Sequence, residues 1–175
     1  MGQYYMVYAK NDDGVKVYDR SVNGEYMMAK LMEHSWWYNS FVGTFCRMIY
    51  KNPTQVAWIG NYSYEVDCEI FEDIWGADVK TIGVDENVLL LDGKYLLNHT
   101  KKEFLKCDEY RKECEVKKWC IHPLPLLTCI GNGLGCGDYK SKDENKFVGY
   151  WYLDEISVED EIPVDYKEIS PRFIE

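Results

Sequence analysis

Four glycines alternate with other residues in Gly131-Asn132-Gly133-Leu134-Gly135-Cys136-Gly137, and Asp138 and Tyr139 follow at once. Glycine reaches positive φ and lets backbone come close to a ligand, so successive N–H groups in such a run can converge on an anion. The chemistry on offer is a cradle for a phosphate or another oxyanion, with Asn132, Asp138 and Tyr139 placed to orient what it holds. No Gly-Lys-Ser/Thr follows, so this is not a Walker A loop, and the spacing is not that of a dinucleotide fingerprint. No helix is predicted directly after it, so no helix dipole would reinforce the site. A tight or bulged β-loop would use the same glycines without any ligand.

The chain has three histidines. His122 precedes Pro123, which holds its backbone extended; a histidine fixed in this way can act as a base or bind a ligand. His34 follows Glu33, but neighbouring residues on a helix point about 100° apart, so the two are not a ready dyad. His99 stands at the end of a predicted strand, where a polar side chain can simply satisfy a loop. Gly-x-Ser-x-Gly and His-Glu-x-x-His are both absent, so no catalytic residue is assigned. The seven cysteines contain no Cys-x-x-Cys pair, and no metal site or cofactor is expected. Cys46 and Cys129, among apolar neighbours, read as core thiols. Cys136, between two glycines, reads as accessible, and could meet His122 if the fold brought them together.

These residues need a frame. Residues 3–9 are apolar on both alternating sides and read as a strand covered on both faces; the turn 11–14 returns the chain into a second strand at 15–18. Good helix formers predict a helix over 25–34. Asn39 and Ser40 are N-caps for a helix whose apolar face is Phe41, Phe45, Met48 and Ile49, stopped by Asn52-Pro53. Residues 55–59 read as a strand. Asp92-Gly93 predicts a tight hairpin between 88–91 and 94–97, and Thr100 with Glu103 predicts a capping box that opens a short helix. Pro125 makes the start of the apolar run 124–130 an edge or a loop. Residues 147–153 and 156–158 read as strands, and a tail with Pro163 and Pro171 as a surface wrap. Together they predict a single domain over 1–175, α+β, with a mainly antiparallel sheet and two or three short helices.

Lys and Arg total 20 against 30 Asp and Glu, a net charge of −10. That disfavours direct binding of nucleic acid, which demands cations, and favours basic partners. No apolar run approaches the roughly 18 residues of a membrane span. No secretory signal is visible at the start, so a cytoplasmic setting with reduced thiols is expected. The region 62–86 is acidic, with Glu65, Asp67, Glu69, Glu72, Asp73, Asp78, Asp85 and Glu86 interleaved with Val66, Ile70, Phe71, Ile74 and Trp75. This is the pattern of a solvated helix face over a packed one.

The stretches Met1-Gly2-Gln3-Tyr4-Tyr5, Lys30-Leu31-Met32-Glu33-His34-Ser35 and the run from His122 through Tyr139 together resemble a family of uncharacterised proteins of bacteria and their phages. Gly149-Tyr150-Trp151 and Ile156-Ser157-Val158-Glu159 fit the same pattern. The resemblance carries no reaction, but it implies an accessory gene of a bacterium or mobile element and points to His34, His122 and the glycine run. That run is also similar to the ligand loop of macro domains, although their upstream Asn-Ala-Ala-Asn-type element is missing. Two functions are therefore expected as alternatives. One is binding of a small phosphorylated or nucleotide-like ligand at Gly131, Asn132, Gly133, Gly135, Gly137, Asp138 and Tyr139, with His34 and His122 nearby and Trp58 or Trp151 stacking on a base; cleavage of that ligand is left open. The other is an acidic inhibitor, encoded by a phage or mobile element, that occupies a basic host defence protein without chemistry.

Overall fold

The doubly apolar N-terminal strand is buried on both faces in the computed structural model, which describes residues 1–22, 25–27, 29–82, 88–115, 120–140 and 145–173. In β1 (Tyr5–Asn11), Tyr5, Val7 and Ala9 face the main core and Tyr8 a smaller one with Ala57, Ile59 and Ile70. β2 (Gly14–Val22) returns antiparallel beside it, with Val7 opposite Tyr18. Beyond β2 lie β3 (Glu25–Met27), antiparallel, and β5 (Asp78–Ile82), parallel. On the other side of β1 runs β4 (Thr54–Gly60), antiparallel. The sheet continues through β9 (Glu155–Glu159), β6 (Tyr95–Asn98), β7 (Glu103–Lys106) and β10 (Lys167–Glu168), while β8 (Cys129–Ile130) joins β4 in parallel. The chain is thus α+β with a mostly antiparallel sheet.

Five short α-helices cover the sheet among the described residues: α1 (Leu31–His34), α2 (Ser40–Met48), α3 (Cys68–Gly76), α4 (Cys107–Glu115) and α5 (Pro123–Thr128). α2 begins where its cap predicts, with the Asn39 side chain accepting from the N–H groups of Phe41 and Val42. Its Phe45 meets the wholly buried Trp58 of β4 edge-on, ring centroids 5.5 Å apart. α3 lies over the smaller core through Ile70, and Asp67 caps it. No helix among the described residues is long and apolar enough to cross a membrane.

Five local expectations are corrected. Helix propensity over 25–34 yields to the open edge of β2: residues 25–27 pair with it as β3, Ala29 bridges Tyr5, and only Leu31–His34 is helical. Residues 88–91 form no hairpin with β6, whose two edges are taken by β7 and β9; Leu89 N–H donates to the Gly43 carbonyl of α2 and Leu91 enters the core. Thr100 caps no helix. Its hydroxyl accepts from Glu155 N–H, Lys102 takes φ 53°, and the chain turns from β6 into β7. Residues 123–128 are helical despite Pro123 and Pro125, because prolines in a first turn lose no helical hydrogen bond. Residues 147–153 are successive turns rather than a strand; Gly149 and Trp151 N–H donate to the Leu126 and Leu127 carbonyls and dock the segment on α5. Asp85 and Glu86 lie outside the described residues.

Asn39 works at both ends, since its side-chain N–H also donates to the Glu33 carbonyl and so links α1 to α2. Asn39→Ala is expected to lower stability by about 1 kcal/mol, the usual worth of an N-cap. Asn39→Asp, which keeps the cap oxygen and loses the link, is expected to lose less. Denaturant melts of the two variants decide this; equal losses would assign the stabilisation to the link instead.

Candidate functional site

The glycine loop does converge its N–H groups on an anion, and the anion is the loop's own Asp138. Asp138 Oδ2 accepts from Gly133 N (2.8 Å), Gly135 N (2.9 Å) and Gln3 Nε2 (2.9 Å); Oδ1 accepts from the Tyr5 hydroxyl (3.1 Å). The carboxylate is 5% exposed and has no ion-pair partner among the described residues. Gln3 Nε2 stands within bonding distance of Tyr5 Oη, Gly131 O and Asp138 Oδ2. An amide nitrogen has only two protons, and the carbonyl and the charged carboxylate are the stronger acceptors. The Tyr5 hydroxyl is then left to donate to Asp138. Burial, followed by the nearby charges, raises the Tyr5 hydroxyl far above the usual tyrosine range, so it stays protonated as that donor.

Two glycines are required for different reasons. Gly133 has φ 98°, in the left-handed region that glycine favours, and its N–H is one of those on the carboxylate. At Gly135 a Cβ would stand 2.4 Å from Gln3 Cβ and 2.8 Å from Gln3 N, so only glycine allows the N-terminal segment to lie against the loop. Gln3 N–H and Cys136 N–H donate to the carbonyls of Cys136 and Met1, and Met32 N–H to that of Gly137. Asn132 binds Tyr139 at two points, donating to its carbonyl and accepting from its N–H. The Tyr139 ring is buried, edge-on to Phe173.

The histidines go elsewhere. His34 Nε2 accepts from Trp58 Nε1 at 2.9 Å, which places its proton on Nδ1, an atom without a partner among the described residues. His122 Nδ1 accepts from Leu124 N–H as the N-cap of α5, which leaves its proton on Nε2, 3.7 Å from Cys46 Sγ. Burial lowers both to about 3, helped at His34 by the Arg20 charge, so both are neutral core groups. Neither has a hydrogen bond or ring contact to residues 131–139. Cys136 is exposed, and the thiol beside His122 is that of Cys46, not Cys136. Trp58 and Trp151 are fully buried and donate to His34 and Glu103, so neither offers a face for stacking a base.

No protein-family model matches the chain, and no curated protein or solved structure is significantly similar to it. The site is read from its own geometry.

The sequence did not single out what surrounds the loop. Tyr4 and Asn61 are joined by two hydrogen bonds, Tyr62 N–H donates to Gln3 Oε1, and a Cβ on Gly131 would meet Ser63. The loop, the N-terminus and the turn at 61–66 are therefore one surface. Tyr4, Tyr62, Tyr64 (58% exposed), Val66 and Leu134 (52% exposed) stand out from it. Nothing in the spacing of Gln3-Tyr4-Tyr5 says that Gln3 bonds a residue 135 positions away. His99, passed over as a loop histidine, bonds Tyr166 and Ser157 at 2.8 Å each and fastens the C-terminal segment to β9.

Two outcomes follow. Asp138→Asn replaces one acceptor oxygen by a donor facing donors, and is expected to destabilise by about 2–4 kcal/mol in a denaturant melt, since buried N–H groups lose their partner. A loss below about 0.5 kcal/mol, the scale of ordinary surface changes, would show that the carboxylate does not hold the loop. The histidines set the acid side. With folded values near 3 against 6.5 when unfolded, the unfolded chain binds protons first as pH falls, so stability is full above about 6.5 and drops toward 3. His122→Asn puts a capping oxygen in place of the ring nitrogen and removes one titration. Between pH 6 and 5, near the top of that window, its melting temperature should fall less steeply than that of the wild type; parallel curves would mean that His122 is protonated in the folded protein.

Proposed function

We propose that the protein is a binding protein that docks the face formed by residues 61–73 and the tip of the glycine loop on a basic surface of another protein. One observation carries this reading. Residues 61–77 contain five carboxylates, Glu65, Asp67, Glu69, Glu72 and Asp73, and no Lys, Arg or His. None of the five makes an ion pair among the described residues, whereas the carboxylates of Asp92, Asp154, Asp160, Asp165 and Glu168 are each paired with a Lys or Arg. Glu65, Glu69, Glu72 and Asp73 are exposed. Beside them lie the exposed Tyr62, Tyr64 and Val66, with Tyr64 edge-on to Phe71 at 5.6 Å. Apolar and aromatic anchors within a charged rim are the anatomy of a protein interface, and charge of one sign speeds the approach of an opposite partner. Surfaces that hold nucleic acid are the basic surfaces of the right kind. Together with the resemblance to proteins of bacteria and phages, this favours a nucleic-acid-binding host protein as the partner class.

The alternative, a phosphorylated or nucleotide-like ligand in the glycine loop, requires Asp138 to leave N–H groups that it already occupies and to lose its own donors. That weighs toward recognition at the surface.

The test is an NMR titration of the labelled protein with an Arg/Lys-rich peptide and, separately, with ATP and with inorganic phosphate. Peptide shifts should concentrate in 61–73 and at Leu134. Affinity should fall at least tenfold in the Glu65→Lys/Glu69→Lys/Glu72→Lys variant, about 1.4 kcal/mol or more. Tyr64→Ala should weaken binding even at high salt, where the charge contribution is screened. Peptide shifts spread evenly over the acidic surface would overturn the proposal, and ATP or phosphate shifts centred on the Gly133 and Gly135 amides would restore the ligand reading.

A further inference from the structure

Helix α2 is too short to cover the strands beneath it along their whole length. Its nine residues rise about 13 Å, whereas the seven residues of β1 or of β4 span about 23 Å. On the core face, Ala9 of β1 stands between Lys16 of β2 and Val56 of β4, and Val7 stands opposite Tyr18. Asn11 and Thr54 continue that face by the alternation of a strand. Above it α2 sets Phe45 and ends at Met48, and Pro53 then leads the chain into β4. Between the last turn of the helix and this end of the sheet lies a cavity of about 270 Å³.

The lining divides into an interior and a mouth. Ala9, Tyr18, Phe45, Ile49 and Thr54 are buried; Asp13, Met48 and Asn52 are exposed and mark the opening. The interior holds no charge, and the Thr54 hydroxyl is committed to the Asn52 carbonyl. At the mouth Lys16 and Asp13 pair with each other at 3.7 Å, so the lining's cation and carboxylate are already matched. Tyr18 is different. It is 7% exposed, yet its hydroxyl makes no hydrogen bond among the described residues. Nor is that hydroxyl sealed in protein, since the fully enclosed side-chain atoms without a partner are His34 Nδ1, Trp37 Nε1 and Thr44 Oγ1. It therefore opens onto accessible space, and the space that Tyr18 lines is this cavity. Burial, followed by the Asp13 charge, raises it above the usual tyrosine range, so it is a protonated donor in need of an acceptor.

We propose that this cavity binds a small, neutral aromatic molecule whose hydrogen-bond acceptor, such as a carbonyl, is engaged by the Tyr18 hydroxyl. Its volume lies just below the roughly 300–1,000 Å³ of drug-sized pockets, which suits a single ring with a short substituent. The rings of Phe45 and Tyr18, edge to face at 5.8 Å, and the Met48 sulfur make the walls complementary to a flat aromatic. A charged head fits poorly. It would leave water for an interior without a countercharge, or it would have to separate Lys16 from Asp13. The cavity lies at the opposite end of β1 from Tyr5 and the glycine loop, so it is a second site, apart from the acidic face at 61–73.

The experiment is an NMR titration of the labelled protein with four probes: acetophenone (ring and carbonyl), toluene (ring alone), benzoate and benzylamine (ring and charge). Acetophenone is expected to shift the side-chain signals of Ala9, Tyr18, Met48 and Ile49, to leave Leu134 unmoved, and to bind more tightly than the other three. Tyr18→Phe removes only an unpartnered hydroxyl, so the fold should hold, which a thermal melt checks. That variant should bind acetophenone about fivefold more weakly, the scale of one neutral hydrogen bond, and toluene as the wild type does. The proposal is overturned if acetophenone leaves the cavity residues unmoved, or moves Leu134 as much as Ile49. It is equally overturned if Tyr18→Phe weakens both probes alike, or if benzoate or benzylamine binds more tightly than acetophenone. The ranking of the four probes is measured on the wild type and decides the question even if Tyr18→Phe fails to fold.

Discussion

A carboxylate withdrawn from water, with no ion-pair partner among the described residues, has to be held by hydrogen-bond donors, and Asp138 is held by four. Left bare, such a charge would be more costly than a loop of glycines could offset. The donors come from separate parts of the chain. Gly133 and Gly135 give main-chain N–H groups of the loop, Tyr5 a hydroxyl from β1, and Gln3 an amide from the residue pair before it. The loop, the N-terminus and, through Tyr62 N–H on Gln3 Oε1, the turn at 61–66 are thereby tied together. β1 also lies between β2 and β4, so the knot is anchored in the middle of the sheet rather than at an edge.

Charge is divided unequally over the frame so anchored. Around β6, β7, β9 and β10, lysines close on carboxylates: Lys51 and Lys94 on Asp160, Lys101 on Asp154, Lys102 on Asp165, and Lys106 on Glu168. Most of these pairs are partly exposed and each adds little stability alone, but together they neutralise that end. On the α3 side the carboxylates of residues 61–77 make no ion pair among the described residues, though Asp73 accepts from Tyr8 and Asp67 from Tyr152 and Ile70 N–H. The net charge of −10 is thus carried disproportionately by the surface next to the glycine loop. Elements that could relax toward a cation elsewhere are here capped and packed, through Asp67 on Ile70 N–H and Ile70 in the smaller core.

How much of this could be read in the sequence depended on the range of the interaction. The N-terminal hairpin, the cap of α2 with its buried Phe41, Phe45 and Ile49, the strand at 54–60 and the late strand at 155–159 rest on local patterns and are present, while Met48, read into the same apolar face, stands exposed. Where a segment's partner decided its shape, local reading failed. Residues 25–27 had helical residues but an open strand edge beside them; 88–91 had a hairpin turn but no free edge to join. Pro125 looked like a breaker because the capping role of His122 could not be seen, while the extended backbone that Pro123 imposes on His122 is present. At the site, the glycine spacing predicted convergent N–H groups, and they do converge. The sequence held no sign that the anion would be Asp138, three residues beyond Gly135, since that needs Gln3 and Tyr5 to close the shell. His34 and His122 drew notice as titratable groups, and burial leaves them neutral and structural.

An anion cradle that holds its own carboxylate is a scaffold before it is a site. The same N–H geometry that would bind a phosphate here holds the loop on either side of the exposed Leu134, at no expense of a ligand's ordering entropy. Interfaces gain affinity when their contact groups are ordered before the partner arrives, because immobilising side chains and loops on binding is unfavourable. A charged internal group is a demanding way to order a loop, since it tolerates no missing donor. It is also an unforgiving one, with only a single arrangement satisfying all four donors. That exclusivity explains how a loop of four glycines, the most flexible composition available, can be held in one arrangement.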